Sequence, residues 1–280
     1  MRIALVDSGL GTLATAAALR RMRPDLDLIL SIDPDHAPWG PRPPEEVAVL
    51  ALACARSALE HRPDLLVLAC NTASVHCLSR LRADLEPEVP VVGTVPAIKP
   101  AAATGGPVAI WATPATTGSA YQRDLIREFA AGLSVAEVAS ATLATAVDAG
   151  DGAAIAAAIA EAAARTPRQT RALVLGCTQY RLVADRIQAA LPPGIQLFDA
   201  AEAVAAQALR RLGLPPCPQA APVGGLAVLA SGRPERLPAA ALRYEAGRAL
   251  ARSRGWEAVP ARPGTGGRDR SASRPPLPGG

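Results

Sequence analysis

The sequence predicts an α/β fold made of two similar halves, each built on a parallel sheet. Three observations predict it. Short, wholly apolar runs alternate with helical stretches, as in strands buried on both faces. The alternation starts afresh near residue 107. The run Leu65-Leu66-Val67-Leu68-Ala69-Cys70-Asn71-Thr72 is echoed by Ala172-Leu173-Val174-Leu175-Gly176-Cys177-Thr178, which reads as a degenerate internal duplication.

In the first half, Ile3-Ala4-Leu5-Val6 is a strand that ends abruptly at Asp7-Ser8-Gly9. A helix is expected over residues 13–23, a strand over 28–32 and a helix over 45–60. Residues 65–69 form a third strand ending at Cys70, and Val91-Val92-Gly93 is a fourth. In the second half, residues 107–111 form a strand ending at Ala112-Thr113, and 116–130 a helix. An alanine-rich helix covers 153–164, and a strand over 172–176 ends at Cys177 with a helix after it. Both cysteines thus stand at the carboxyl end of a parallel strand, the edge where open α/β sheets bind ligands. If the halves face each other, the two thiols meet across one cleft.

With 280 residues, half of them hydrophobic, the chain has material for two ordinary domains. Aromatics make up only 3%, so the core is expected to consist of Ala, Val, Leu and Ile. The net charge of +4 is modest. No basic stripe with interleaved aromatics is visible, which sets nucleic-acid binding aside. The sequence has no secretory leader pattern and no run of about 18 apolar residues, so no membrane association is expected. The five cysteines, at 54, 70, 77, 177 and 217, are odd in number and lack CxxC spacing. That argues for reduced thiols in a cytoplasmic protein rather than a disulfide framework or a zinc site. Asp33, Asp35 and His36 lie close together, but Pro34 and Pro38 make the stretch a loop, and no metal is assigned. Asp7 to Thr12 lacks both G-x-G-x-x-G and the G-K-[ST] ending, so it is not read as a nucleotide loop.

A strand-end cysteine is by itself an ordinary core residue. Two in matching contexts, each followed by hydroxyl-bearing residues, point to chemistry. A thiol titrates near ~8.5 and is lowered at a helix N-terminus, so it can serve as base or as acid. Opposed thiols could therefore move the α-proton of an amino acid without pyridoxal phosphate or another cofactor. Asn71, Thr72 and Thr178 offer an amide, hydroxyls and backbone N–H groups for a carboxylate. Cys54, Cys77 and Cys217 have no such context and are taken as structural.

These residues also carry a family resemblance. Val6-Asp7-Ser8-Gly9-Leu10-Gly11-Thr12, Ala69-Cys70-Asn71-Thr72-Ala73-Ser74 and Leu175-Gly176-Cys177-Thr178-Gln179-Tyr180 resemble the signature segments of glutamate racemase, in the aspartate/glutamate racemase superfamily. Pro38-Trp39-Gly40 with Pro44-Glu45-Glu46, Ala112-Thr113-Pro114-Ala115-Thr116 leading to Ser119 and Tyr121, and Ser231-Gly232-Arg233-Pro234-Glu235 match as well. The resemblance runs to about residue 245. It implies two pseudo-symmetric α/β domains with the active site in the cleft between them. The chain would cross to the second domain near Val95 and return near Ala203. That divides it into residues 1–95 plus 204–255, residues 96–203, and a disordered tail at 256–280. Cys70 and Cys177 would work on opposite faces of an acidic amino acid, with Asp7 assisting Cys70 and holding the α-amino group. Ser8, Asn71, Thr72, Thr116 and Thr178 would bind its polar groups, and Gly40 its side-chain carboxylate through the backbone. The product would be D-glutamate for peptidoglycan. Members of the family often dimerise, which makes a homodimer a candidate assembly.

Three positions depart from the family pattern. Gln179 stands where a histidine is usual, Trp39 where a tyrosine is, and Asp148 where a glutamate is. Glutamine can hydrogen-bond but exchanges no proton near neutral pH. Gln179 and Trp39 therefore count among the substrate-site residues, and two other readings stay open. One is a change of substrate to another acidic amino acid or carboxylic acid; the other is a homologue that binds carboxylates with impaired turnover.

Overall fold

The computed structural model describes residues 1–255, so the tail expected at 256–280 lies outside the described residues. The chain opens with β1 (Arg2–Asp7), α1 (Thr12–Met22), β2 (Asp27–Ile32) and α2 (Pro44–Leu59). It continues with β3 (Leu65–Leu68), α3 (Asn71–Leu85) and β4 (Val91–Gly93). After α4 (Ile98–Ala102) come β5 (Val108–Ala112), α5 (Ala120–Phe129), β6 (Val135–Ala139), α6 (Leu143–Ala149) and α7 (Gly152–Ala164). Then follow β7 (Ala172–Leu175), a 3-10 helix at Thr178–Val183, α8 (Ala184–Ala190) and β8 (Gln196–Phe198). The described chain ends with α9 (Ala201–Arg211), β9 (Gly225–Ala230), β10 (Arg233–Glu235), a 3-10 turn at Ala239–Arg243, α10 (Glu245–Leu250) and β11 (Arg254–Gly255).

The strands form two sheets. The first has the order β10-β9-β2-β1-β3-β4 with β11 beside β9, and the second β6-β5-β7-β8. Within each half the first four strands therefore lie in the order second, first, third, fourth. All pairings are parallel except that of β10 with β9. In this order the connections leave the first and third strands in opposite directions, which opens a crevice at their carboxyl ends. The register makes the halves comparable residue by residue: Val6 pairs with Leu68, and Trp111 with Leu175. Asp7 accordingly corresponds to Ala112, and Cys70 to Cys177.

One apolar cluster joins the sheets. It runs from Leu5, Leu30 and Val67 through Leu13 and Leu19 of α1 to Val147, Trp111 and Leu175. Separate clusters cover the outer face of each sheet, under α2 and α3 in the first half and under α4 and α5 in the second. Continuous burial of strands such as Leu65-Leu66-Val67-Leu68 explains their unbroken apolar sequence.

Two expectations need correction. The helix expected over 116–130 starts only at Ala120, because Gly118 takes a left-handed φ of 70° and the Ser119 hydroxyl then caps the helix at Gln122 N–H. The helix after Cys177 is a tight 3-10 segment before α8 begins at Ala184.

Candidate active site

The two thiols occupy equivalent local structures. Cys70 is the N-cap of α3 with φ −125° and ψ 123°, and Cys177 caps the 3-10 helix with φ −132° and ψ 135°. The extended backbone turns each side chain back over the first helical turn. The Ala73 N–H reaches the Cys70 sulfur, and the Gln179 and Tyr180 N–H groups reach the Cys177 sulfur. These donors favour thiolates, but burial outweighs them. Both cysteines are only 7% exposed, and desolvation first, then the negative charge of Asp7, pushes both thiols above their ordinary range. The thiols are also close enough for Cys177 to raise Cys70.

Asp7 ends β1 and is fully buried. Burial and then the neighbouring Asp148 push its carboxyl up to about 7, against hydrogen bonds from Thr178, Ser8 and Cys70 that favour the anion. The Ser8 N–H donates to it at 2.6 Å, and the Thr178 hydroxyl donates at 2.9 Å from the other half of the molecule. Asp7 therefore touches both thiol segments, with a proton affinity poised near neutrality. Gly11 makes this possible: a Cβ there would collide with both the Asp7 carboxylate and the Thr178 hydroxyl.

Behind Cys177 lies a second network. Its S–H donates to Gln179 Oε1 at 3.0 Å, and the oxygen of the Thr178 hydroxyl, whose proton goes to Asp7, lies 3.2 Å from the same atom. Gln179 Nε2 donates in turn to Asp148 at 3.3 Å. That orientation turns an acceptor, with no proton of its own, toward the thiol. Asp148 also accepts the Leu10 N–H at 2.7 Å, and its burial pushes its carboxyl up to about 6. It packs against Gly9, where a Cβ would have no room.

Polar groups line the crevice from both halves. Asn71 Nδ2 donates to the Gly176 carbonyl at 2.7 Å, while its Oδ1 is buried without a partner among the described residues. A buried acceptor without a partner suits an ammonium group. The hydroxyls of Thr72, Thr113 and Thr116 form a cluster with separations of 3.2 to 3.4 Å. Gly40 reaches this cluster, since a Cβ on it would stand 3.3 Å from the Thr113 Cβ. Trp39 belongs to the same apolar cluster as Cys70. It is fully buried in the outer cluster of the first half, and its indole N–H donates to Asp33 at 3.1 Å.

The structure thus brings Asp7, Ser8, Gly40, Cys70, Asn71, Thr72, Thr116, Cys177, Thr178 and Gln179 together, and places Trp39 in the apolar cluster that includes Cys70, with its N–H on Asp33. Two residues of the cluster were not among the expected site residues. Asp148 entered only as a departure from a pattern, although a lone carboxylate within Ala146-Val147-Asp148-Ala149 is a signal in itself. Thr113 holds the position that corresponds to Ser8 once the strand register is known. Among the described residues no group of three or more His, Cys, Asp or Glu side chains is arranged to hold a metal ion.

Comparison with known proteins identifies the family. The sequence profile of the Asp/Glu/hydantoin racemases matches residues 11–208. A glutamate racemase of Roseiflexus sp. (strain RS-1) is 34% identical over 233 residues, covering 76% of this chain and 80% of its own. One from Vibrio campbellii is 37% identical over 213 residues, covering 73% and 77%. Among solved structures, Escherichia coli glutamate racemase in complex with L-glutamate and the activator UDP-MurNAc-Ala superposes with a TM-score of 0.74 at 26% identity, covering 91% of this chain and 97% of that one. Thermus thermophilus glutamate racemase in complex with β-chloro-D-alanine gives a TM-score of 0.65 at 31% identity, covering 89% and 91%.

Proposed function

The chain belongs to the Asp/Glu/hydantoin racemase family and is a racemase, an isomerase; on that premise we propose that it interconverts L- and D-glutamate by passing the α-proton between Cys70 and Cys177. The observation that carries this reading is the pair of N-cap thiols at corresponding positions, both in contact with the surroundings of one carboxylate, Asp7.

In this reading the substrate's ammonium group lies near Asp7 and Asn71 Oδ1, and its α-carboxylate meets the hydroxyls of Thr72, Thr116 and Thr178 and the helix N-terminus. The side-chain carboxylate meets the main chain at Gly40. Ionised Asp7 takes the proton of Cys70, and the thiolate formed removes the α-proton from one face. Cys177 delivers its S–H proton to the other face and is left as the thiolate. The reverse reaction runs through the same groups with the cysteines exchanging roles. The domain division at residues 95 and 204, a cytoplasmic location, a homodimeric assembly and a supply of D-glutamate to peptidoglycan go with this reading.

Incubation with either enantiomer of glutamate in heavy water tests it. Deuterium should enter at Cα as optical rotation decays, and Cys70→Ala or Cys177→Ala should each abolish racemisation. Full activity in either variant sinks the two-thiol mechanism, and exchange with aspartate but not glutamate reassigns the substrate. Gln179 favours a second reading, in which the crevice binds an acidic amino acid without turnover. Saturable binding of glutamate with no deuterium uptake would decide for it.

A further inference from the structure

The loop after β2 holds a cluster that the two-thiol chemistry leaves unused. Asp33 is 2% exposed and is tied to the site through its own N–H, which donates to the Ser8 carbonyl at 3.2 Å. Its carboxylate collects three side-chain donors: the Trp39 indole at 3.1 Å, the Ser231 hydroxyl at 2.8 Å and His36 Nδ1 at 2.9 Å. An apolar residue would fill the same space without the desolvation penalty, so geometry is what the carboxylate adds.

Ser231 comes from the far end of the chain. With Gly232 it forms the turn between β9 and β10, and both residues take positive φ, 45° and 81°. A two-residue hairpin loop of type I′ requires such a pair, and glycine fits it without strain. Serine in that conformation is strained, yet its hydroxyl donates to Asp33 and accepts the Asp35 N–H at 3.2 Å. Beside it, Arg233 pairs with Asp35 at 2.8 and 3.1 Å. The segment leading to Gly40 is therefore fastened to a hairpin 198 residues away.

We propose that Asp33, Trp39 and Ser231 form a latch that positions the main chain of Gly40 against Thr113, and so sets the fit of the substrate's side-chain carboxylate. These are positioning residues, acting through Gly40. The proposal rests on the reading that Gly40 faces that carboxylate.

Ser231→Gly is the informative variant, because it keeps the turn and removes only the hydroxyl. Amide hydrogen exchange over residues 34–42 should rise about ten-fold, with residues 65–77 and 172–180 unchanged. The KM for glutamate should rise about five-fold while kcat stays within about two-fold. Asp33→Asn, which turns an NH2 group toward three donors, should raise KM further. Unchanged exchange over 34–42 in Ser231→Gly overturns the latch. A loosened loop with unchanged KM overturns its role in positioning. If the wild-type chain does not turn over glutamate, the glutamate reading fails first, and hydrogen exchange still decides the latch.

Discussion

Burial and then Asp7 hold the second thiol neutral, and the side chain of Gln179 adds an acceptor beside it. Its Oε1 accepts from Cys177, and Asp148 holds the amide in that orientation, so the neutral thiol is favoured and the thiolate meets a lone pair. Cys70 instead faces Asp7, whose carboxyl titrates at about 7. In the proposed two-thiol mechanism the cysteines are thus unequal, with Cys70 better placed as base and Cys177 as acid. Because enantiomers are equally stable, this inequality shows in kcat and KM separately, not in their ratio. Gln179→His should raise the rate of α-deuterium uptake about ten-fold or more by giving Cys177 an exchangeable partner. No gain there would show that Asp148 and the helix N-terminus already suffice. Asp7→Asn should lower kcat about a hundred-fold or more for both enantiomers, measured by circular dichroism. At this scale the sequence was informative about types and blind to partners. The residues Asp7, Cys70, Asn71 and Cys177 stand in recognisable segments, but the link of Thr178 to Asp7 spans 171 positions and depends on how the halves meet. Trp39 shows the limit: its neighbours in sequence place it near the site, but its N–H contact with buried Asp33 has no signal in the sequence.

Among elements, the turn between β1 and α1 has the least tolerance. Gly11→Ala would drive Asp7 away from Thr178 and should abolish activity while circular dichroism stays close to wild type. A control lies on the outer rim of the second half. Asp151 caps α7 by accepting the Ala153 and Ala154 N–H groups at 3.0 and 3.1 Å. Asp151→Ala should cost about 1 kcal/mol in urea unfolding and leave kcat unchanged. The elements legible in the sequence are those with one dominant signal. Central strands such as β3 and β7 are unbroken apolar runs because both faces are covered. The edge strand β6 was not legible. It has one sheet neighbour, and Glu137 stands exposed within it to accept the Gly118 N–H. β8, only three residues long and partly exposed, gave no pattern for the same reason.

Across the whole molecule, burying Asp7 and Asp148 links stability to pH. Both carboxyls are raised from 3.8, to about 7 and about 6, so between about pH 4 and 7 the folded chain holds protons that the unfolded chain releases. Stability should therefore fall as pH rises through that window, by up to about 1.4 kcal/mol per pH unit for each group. His76, whose burial lowers its affinity for protons, acts in the opposite sense near the upper end. Urea unfolding at pH 5 and 7.5 measures the sum, and Asp7→Asn should flatten the dependence. A steeper slope in that variant would contradict the assignment. The hydrogen bonds between halves have a kinetic consequence. Asn71 holds Gly176, Thr178 holds Asp7, and the residues around both thiols are nearly closed to water. In the proposed reading an amino acid would reach the thiols by breaking those bonds, as the halves swing apart against the drag of the solvent. If that swing limits release, kcat will fall in proportion as glycerol thickens the medium, and the enzyme's clock will be its own friction with water.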